Sequence, residues 1–287
     1  MMVNKTEIYF WLLFYNTKQL THNEKIYFLE KYTLKEIFLH IKQQSLPQIC
    51  IDKQKKLSKE SIESSYFYSI MTWLKQHNTG IINYHSPHYP VKLKMIYQPP
   101  LLLFYQGDIN LLHYPSIAIV GSRKATQYGL NITYEWSKML SQSGWVIISG
   151  LAKGIDTMAH QGALPKTIAV LGNGLSHHYP KENITLQDNI TQQGLVLSEY
   201  TPNTTVKKHH FPRRNRIVSG LSHHVLITEA KIKSGSLITA KIALEQGKNI
   251  FTISSHIENE HFSGNHWLLK QGATLATSID DINTLYL

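Results

Sequence analysis

A chain of 287 residues, 42% apolar and 17% charged, is long enough for one large domain plus a small one, and its composition is ordinary for a folded soluble protein. Its formal charge of +10 and isoelectric point near 9.4 point to a polyanionic partner, either nucleic acid or an acidic surface. One cysteine, Cys50, excludes an internal disulfide and a Cys-x-x-Cys metal site, and the apolar run Ile8 to Tyr15 is far shorter than the roughly 20 residues a bilayer requires, so a cytoplasmic chain without a targeting or membrane segment is expected.

Residues 1–78 read as a small all-α domain. Ile8, Leu12 and Tyr15 recur at i, i+4 and i+7, and Ile26, Leu29, Leu34, Ile37, Phe38 and Ile41 predict two short amphipathic helices joined near Tyr32. Ser58 or Ser61 is placed to cap a further helix through Trp73 and Leu74, stopped by Asn78, Thr79 and Gly80. Eleven lysines and no arginine stand against seven acidic residues here, which predicts a solvated surface rather than a concentrated nucleic-acid site. From residue 79, Pro87, Pro90, Pro99, Pro100 and Pro115 punctuate an extended connector in which Leu101 to Tyr105 predicts a strand.

Beyond the connector, short apolar runs alternate with helical segments. The runs are Ile117 to Val120, Val146 to Ser149, Thr167 to Leu171, Leu195 to Ser198, Val225 to Thr228, Asn249 to Ile253 and Ala273 to Ala276. Ile132, Trp136, Met139 and Leu140 keep helical spacing, as does Leu237 to Glu245. That alternation is the signature of a mostly parallel sheet covered on both faces, so the fold class is α/β, a doubly wound, Rossmann-like domain over residues 79–287. Strand order cannot be read from it.

In such sheets ligands collect at the carboxyl ends of the strands. The residues there are glycine-rich: Gly121-Ser122-Arg123, then Gly150 with Gly154-Ile155-Asp156, Gly172-Asn173-Gly174, and Ser234-Gly235-Ser236 opening a helix. Glycine lets a backbone approach an anion closely, and free N–H groups at a helix start donate to it, although tight strand-to-helix turns need glycine for structural reasons too. Neither G-x-G-x-x-G nor G-x-x-x-x-G-K-[ST] is present at Gly121-Ser122-Arg123, which disfavours NAD and ATP, and no cofactor is expected. The four arginines of the chain sit in two places only, Arg123 and the group Arg213, Arg214 and Arg216. A planar fork of donors matches phosphate oxygens two at a time, so their confinement suggests a place where geometry matters beyond charge.

The stretches AIVGSRKATQYG, SGLAKGIDTMAHQGAL, TIAVLGNGL with YPKEN, FPRRNRIVSGLS, ITEAKIKSGSLITAKIALEQGK and LLKQGATL run in that order from Ala118 to Leu275. Together they resemble the DNA-processing protein A family (DprA, also called Smf), whose members protect incoming single-stranded DNA and load a RecA recombinase onto it. The resemblance implies a SAM-like helical domain over residues 1–78, a homodimer, and partners in single-stranded DNA and RecA during natural transformation. It places Arg123, Lys181, Arg214 and Arg216 at the DNA backbone, with Ser122, Gly150 and Gly235 supplying backbone or hydroxyl donors to phosphate. Tyr179 and Phe211 are aromatics near enough in sequence to stack on bases. A carboxyl-terminal winged helix, carried by some members, is not expected. Ser176, Ile253-Ser254-Ser255 and Gly264-Asn265-His266 depart from the family pattern and are expected to alter loops rather than the fold.

Several other residues have bland readings that outweigh the functional ones. The histidine pairs 177/178, 209/210 and 223/224 point different ways and lack a metal-binding pattern, so no metal is expected. Asp156 and His160 are expected to brace a helix rather than act as acid and base. Glu229 is the most enzyme-like carboxylate. The competing class is a nucleotide-cleaving phosphoribohydrolase of the lysine-decarboxylase-like group, which carries Pro-Gly-Gly-x-Gly-Thr-x-x-Glu. Here Ser234 to Thr239 stand in the comparable place without those glycines or that glutamate, so a binding protein rather than an enzyme is expected. The dimer contact is expected beyond Ile250, where Phe262, Trp267, Leu268 and Leu269 crowd together.

Overall fold

The computed structural model describes residues 4–284. Five helices come first: α1 (Lys5–Asn16), α2 (His22–Lys31), α3 (Leu34–Gln43), α4 (Ile51–Lys59) and α5 (Ser64–Trp73). Thr21 with Glu24, and Thr33 with Glu36, form reciprocal capping boxes that start α2 and α3. The cap expected at Ser58 or Ser61 is not used. Ser58 lies inside α4, a helix whose polar sequence buries only Gln54 and Leu57, and α5 starts after Glu63 without a side-chain cap. Gln54 explains how so polar a helix packs: its buried amide accepts from Leu46 N at 2.9 Å and donates to the Leu46 and Ile49 carbonyls at 3.0 and 2.7 Å.

The connector is also more regular than its prolines suggest. It contains β1 (Thr79–Asn83), α6 (Val91–Lys94), β2 (Leu102–Gly107) and a 3-10 turn over Ile109–His113. The residues expected to end a helix, Thr79 and Gly80, instead begin β1, which pairs antiparallel with β2. The alternation then follows: β3 (Ser116–Val120), α7 (Gln127–Gln142), β4 (Val146–Ser149), α8 (Ile155–Ala163), β5 (Thr167–Leu171), α9 (Ile184–Gln193), β6 (Leu195–Ser198) and α10 (His210–Leu221). It closes with β7 (His224–Ile227), α11 (Gly235–Glu245), β8 (Asn249–Thr252), α12 (Ser263–Lys270), β9 (Thr274–Leu275) and α13 (Asp280–Asn283).

All nine strands join one sheet in the order β1-β2-β6-β5-β4-β3-β7-β8-β9, parallel except where β2 meets β1 and β6. The first parallel strand, β3, lies near the middle. The next three strands run off to one side of it and the last three to the other, so the chain reverses its progress across the sheet at β3. Ile117, Ile119, Ile147, Leu226 and Phe251 face a layer built from Trp136 and Leu140 of α7 and Ala159 of α8. Ala118, Val120, Val146, Ile148, Val225 and Ile227 face the opposite layer, with Ile217, Val218 and Leu221 of α10 and Ala240 and Ala243 of α11. Burial on both faces is what a doubly wound sheet requires, and it explains why these strands read as unbroken apolar runs.

The helical region packs against the antiparallel edge and continues the second layer's core. Trp73 meets Phe104 edge-on at 6.1 Å, His85 bonds the Leu29 carbonyl at 2.7 Å, and Tyr15 donates to the Glu199 carbonyl at 3.0 Å. At the other side of the sheet Asn265 holds two strand ends together. Wholly buried on α12, it accepts from Ala230 N at 2.7 Å and its amide reaches the Ile227, Thr228 and Ile253 carbonyls and Thr252 Oγ1, all within 3.2 Å. The departure from the family pattern around Gly264 and His266 therefore leaves a structural asparagine in place.

Candidate nucleic-acid interface

The carboxyl ends of β3, β4, β5 and β7, with the first turn of α10 and the start of α11, enclose an open cleft of about 910 Å³ and a small recess beside it. Its floor is built around Arg214. That side chain is only 4% exposed. Its Nη1 donates to the Gly150 carbonyl at 2.5 Å and to the Val170 carbonyl, and its Nε donates to Asn215 Oδ1 at 3.1 Å. A Cβ on Gly150 would fall within 2.5 Å of the guanidinium, so glycine is required there to admit the arginine. Burial lowers the Arg214 pKa to about 10 against the opposing pull of Asp156. Asp156 is buried in turn and accepts from the Gly150 and Ala152 N–H groups at 3.1 and 3.3 Å, while burial pushes its own pKa up.

The loop after β3 is equally constrained. A Cβ on Gly121 would lie 2.8 Å from the Glu229 carbonyl oxygen. Ser122 N donates to that same oxygen at 2.7 Å, and its own carbonyl accepts from Ile155 N at 3.1 Å. Glu229 is fully buried and receives Thr126 N and Thr126 Oγ1, the latter at 2.6 Å, at the start of α7; His261 Nδ1 stands 3.3 Å away. It therefore ties the loop and the helix to the end of β7. Asp156 and His160 are likewise bonded elsewhere, His160 Nδ1 lying 2.7 Å from Thr167 Oγ1.

Arg123 is the arginine exposed to the cleft. Its guanidinium carbon sits 5.6 Å above the Phe211 ring, which leans against Tyr179 with 5.5 Å between ring centres. This is a cation–π arrangement, which at an exposed site favours one orientation of the fork by about 0.5–1 kcal/mol. Gly172 fits under Phe211, where a Cβ would approach the ring to 3.0 Å. Around this row the exposed lysines 124, 208, 231 and 233 line the cleft, as does Asn215. Asp156, at the floor and engaged as described, is the carboxylate among the lining residues.

Of the residues singled out in the sequence, Ser122, Arg123, Arg214 and Gly235 line the cleft, and Gly150 lines the recess beside it. Two of their expected contributions are corrected by the hydrogen bonds. The N–H groups of Ser122 and Gly150 are already donated inside the protein, so Ser122 has its hydroxyl to offer and Gly150 serves by making room for Arg214. Gly235 opens α11 with nothing within 4 Å of a would-be Cβ, leaving its backbone open.

Lys181 does not line the cleft; it is exposed on the turn after the cis Tyr179–Pro180 bond, next to the Lys153–Glu182 ion pair. Arg216 does not either. Two positions along a helix turn the side chain by about 200°, so Arg214 and Arg216 cannot face one crevice. Arg216 is 7% exposed and meets Glu199 at 2.5 Å, with Arg213 on the other carboxylate oxygen at 3.2 Å.

Lys208, Lys231 and Lys233 carry no motif of their own in the sequence, but Lys208 lies just before α10 with its arginines, and Lys231 and Lys233 lie just before the Ser234-Gly235-Ser236 turn. Among the described residues no group of three or more His, Cys, Asp or Glu side chains is arranged to hold a metal ion.

The model of the family described as DNA recombination-mediator protein A matches residues 80–286. The chain belongs to this family. It is 41% identical over 230 residues to the DNA processing protein DprA of Bacillus subtilis, covering 78% of this chain and 77% of that one. It is 48% identical over 197 residues to DprA of Streptococcus pneumoniae, covering 68% and 70%. The X-ray structure of the pneumococcal protein superposes on 99% of this chain and 98% of its own with a TM-score of 0.79 at 36% identity. A second structure, which describes the single-stranded DNA binding mode of DNA processing protein A from Helicobacter pylori, covers 72% of this chain and 95% of its own, with a TM-score of 0.67 and 36% identity. The pneumococcal match spans nearly the whole chain, the helical region and the Rossmann-like sheet included.

The two glycines separate the structural demands of the cleft. Gly150→Ala forces Arg214 off its carbonyls and is expected to destabilise the fold by about 3 kcal/mol, the order of a buried ionic group losing its partners. Gly235→Ala, with open space around it, should stay within about 0.5 kcal/mol of the parent. Urea unfolding midpoints measure both; equal midpoints for the two variants would contradict the geometry around Arg214.

Proposed function

We propose that the cleft binds single-stranded DNA through its phosphates, and that the chain acts as a recombination mediator which protects incoming DNA and loads a RecA recombinase during natural transformation. The observation that carries this reading is the row Arg123–Phe211–Tyr179 set among Lys124, Lys208, Lys231 and Lys233 at the strand ends. Phosphate binding needs cations that converge, and an accompanying exposed ring suits unpaired bases. The H. pylori relative, whose structure describes a single-stranded DNA binding mode, supports the same ligand. Lys181 lies near the Tyr179 side of this row and belongs to the proposed path as a rim contact, whereas Arg214 and Arg216 support the site from within the protein.

Affinity for a single-stranded oligonucleotide is expected to fall with salt at a log–log slope of about −0.7 per phosphate contacted. Arg123→Ala should weaken binding to all sequences alike and shallow that slope by roughly one contact, and Arg123→Lys should recover only part. Replacing the exposed pair Lys55 and Lys56 of α4 serves as the control, because Lys53 beside them is engaged with Glu24 at 2.9 Å. A larger loss from the α4 pair than from Arg123→Ala, measured at one salt concentration, would move the site to the helical region.

In this proposal the chain works by binding and breaks no bond. Glu229, the most enzyme-like carboxylate of the chain, is enclosed and bonded to Thr126. The purified protein is therefore expected to release no free base from AMP. Release that disappears in Glu229→Gln would overturn this and favour the phosphoribohydrolase reading.

The proposed homodimer uses the β9 side of the sheet. Phe262 and Leu268, expected at that contact, are core residues at 0% and 4% exposure, because they anchor α12 beneath the sheet. Ile238 and Leu244 of α11 and Trp267 of α12 are exposed instead along one apolar groove, and both residues of the edge strand β9 are exposed beside it. An uncovered apolar face next to a sheet edge suits a second copy. Leu244→Asp is expected to shift the light-scattering mass from dimer to monomer at micromolar concentration; a parent protein that is already monomeric there would count against the dimer.

A further inference from the structure

At the other end of the sheet, where β3 and β7 begin, a second hollow of about 400 Å³ opens between the proline-bounded connector and the turn into β7. Its polar walls are His88, Lys92, His113, Tyr114 and His223, and among the described residues no carboxylate lines it. The basic groups are held close together. His88 Nδ1 lies 3.2 Å from His113 Nε2, and Lys92 Nζ donates to Ser116 Oγ at 2.9 Å while standing 3.4 Å from His223 Nδ1.

Their surroundings add no counter-charge. Burial lowers the Lys92 pKa to about 8, with Lys248 as its charged neighbour. Burial, then Lys92 and Lys248, lowers that of His223; burial, then His223 and Lys248, lowers that of His224. Lys248 is itself half-buried, and burial lowers it too. Arg213 and Arg216, by contrast, share the carboxylate of Glu199. Here connector, α6, β7 and the turn before β8 bring basic groups together and leave the mouth open at the exposed His88, His113 and His223.

We propose that this hollow is a binding site for a phosphate group, held by Lys92 and by the imidazoles of His88, His113 and His223. A tetrahedral oxyanion accepts from several directions at once, and it supplies the counter-charge that Lys92, Lys248 and the hydrogen-bonded imidazoles lack at this place. Two imidazoles 3.2 Å apart would also suit a transition metal, but an ammonium group in the same hollow opposes a cation, and a third ligand is not at hand. The phosphate has two possible sources, a free phosphate or mononucleotide and the backbone of a nucleic acid. Because the anion favours the protonated forms of His223 and Lys92, whose unliganded pKa values are depressed, affinity should rise as pH falls from about 8 to about 6.

Imidazole carbon–proton NMR on the full chain tests this, with inorganic phosphate as the probe and chloride at equal ionic strength as reference. Phosphate is expected to shift the His88, His113 and His223 resonances saturably in the millimolar range, more strongly at about pH 6 than at about pH 8. Lys92→Met should weaken the effect roughly ten-fold, Lys92→Arg should restore part of it, and Arg123→Ala should leave it unchanged. Lys92→Gln takes the place of the methionine variant if that one does not fold.

The source is read from oligonucleotide binding. A salt slope shallower by about 0.7 in Lys92→Met assigns the site to a DNA phosphodiester, and an unchanged slope assigns it to free phosphate or a mononucleotide. The proposal is overturned if about 50 mM phosphate does no more than chloride, or if Lys92→Met and Lys92→Gln bind phosphate as the parent does.

Discussion

The guanidinium of Arg214, inserted between the carbonyls of Gly150 and Val170, joins the ends of β4 and β5 to α10, and the shape of the cleft follows from that connection. A buried cation is tolerated only where its charge and its N–H groups are answered. The carbonyls answer the donors, and Asp156 answers the charge from behind the same loop while holding the Gly150 and Ala152 amides. One hydrogen-bonded circuit thus fixes β4, β5, α8 and α10 relative to each other. Phe211 lies three positions before Arg214 on α10 and shares its face. Fixing Arg214 therefore also sets the ring over which Arg123 lies.

Glu199 performs the complementary task on the opposite side of α10. Its two carboxylate oxygens take Arg213 and Arg216, and its backbone carbonyl takes the hydroxyl of Tyr15 from α1. The helix is consequently held from both faces, by carbonyls beneath the cleft and by a carboxylate toward the helical region. The concentration of arginine in this chain is thus divided between building and exposure. Two of the three arginines on α10 are buried in the scaffold, and the charges that reach the cleft come from Arg123 and from lysines in the surrounding loops.

The legibility of these elements in the sequence tracks burial. Strands β3 to β7 are buried along their length, so each left an unbroken apolar run and was placed to within a residue or so. Strand β1 is half-buried at the antiparallel edge, carries glycine and asparagine, and read as the end of a helix. Helix α4 escaped notice because a buried glutamine and one leucine do the work of an apolar stripe. Strand order depends on contacts between distant segments, which no local pattern records. At the cleft, glycine spacing pointed to the loops that line it, but it did not say whether glycine was there for a ligand or for Arg214. Helical periodicity, applied to residues 214 and 216, would already have separated them.

The same geometry limits how the proposed DNA contact can be made. Phe211 already has a guanidinium over its ring, so it orients Arg123 more readily than it receives a base. Tyr179, with 39% of its surface exposed, presents the freer ring, and its tilt of 38° against Phe211 turns it away from a parallel stack of the two. Stacking in the proposed complex is therefore confined to one base at the Tyr179 side, while Arg123 offers a forked contact whose direction the Phe211 ring biases. Lys124, Lys208, Lys231 and Lys233 add charge on flexible stems that can follow phosphates in many positions. In that complex a single ring with a single fork, surrounded by mobile cations, would fix the strand's path at one point and leave its sequence largely unread.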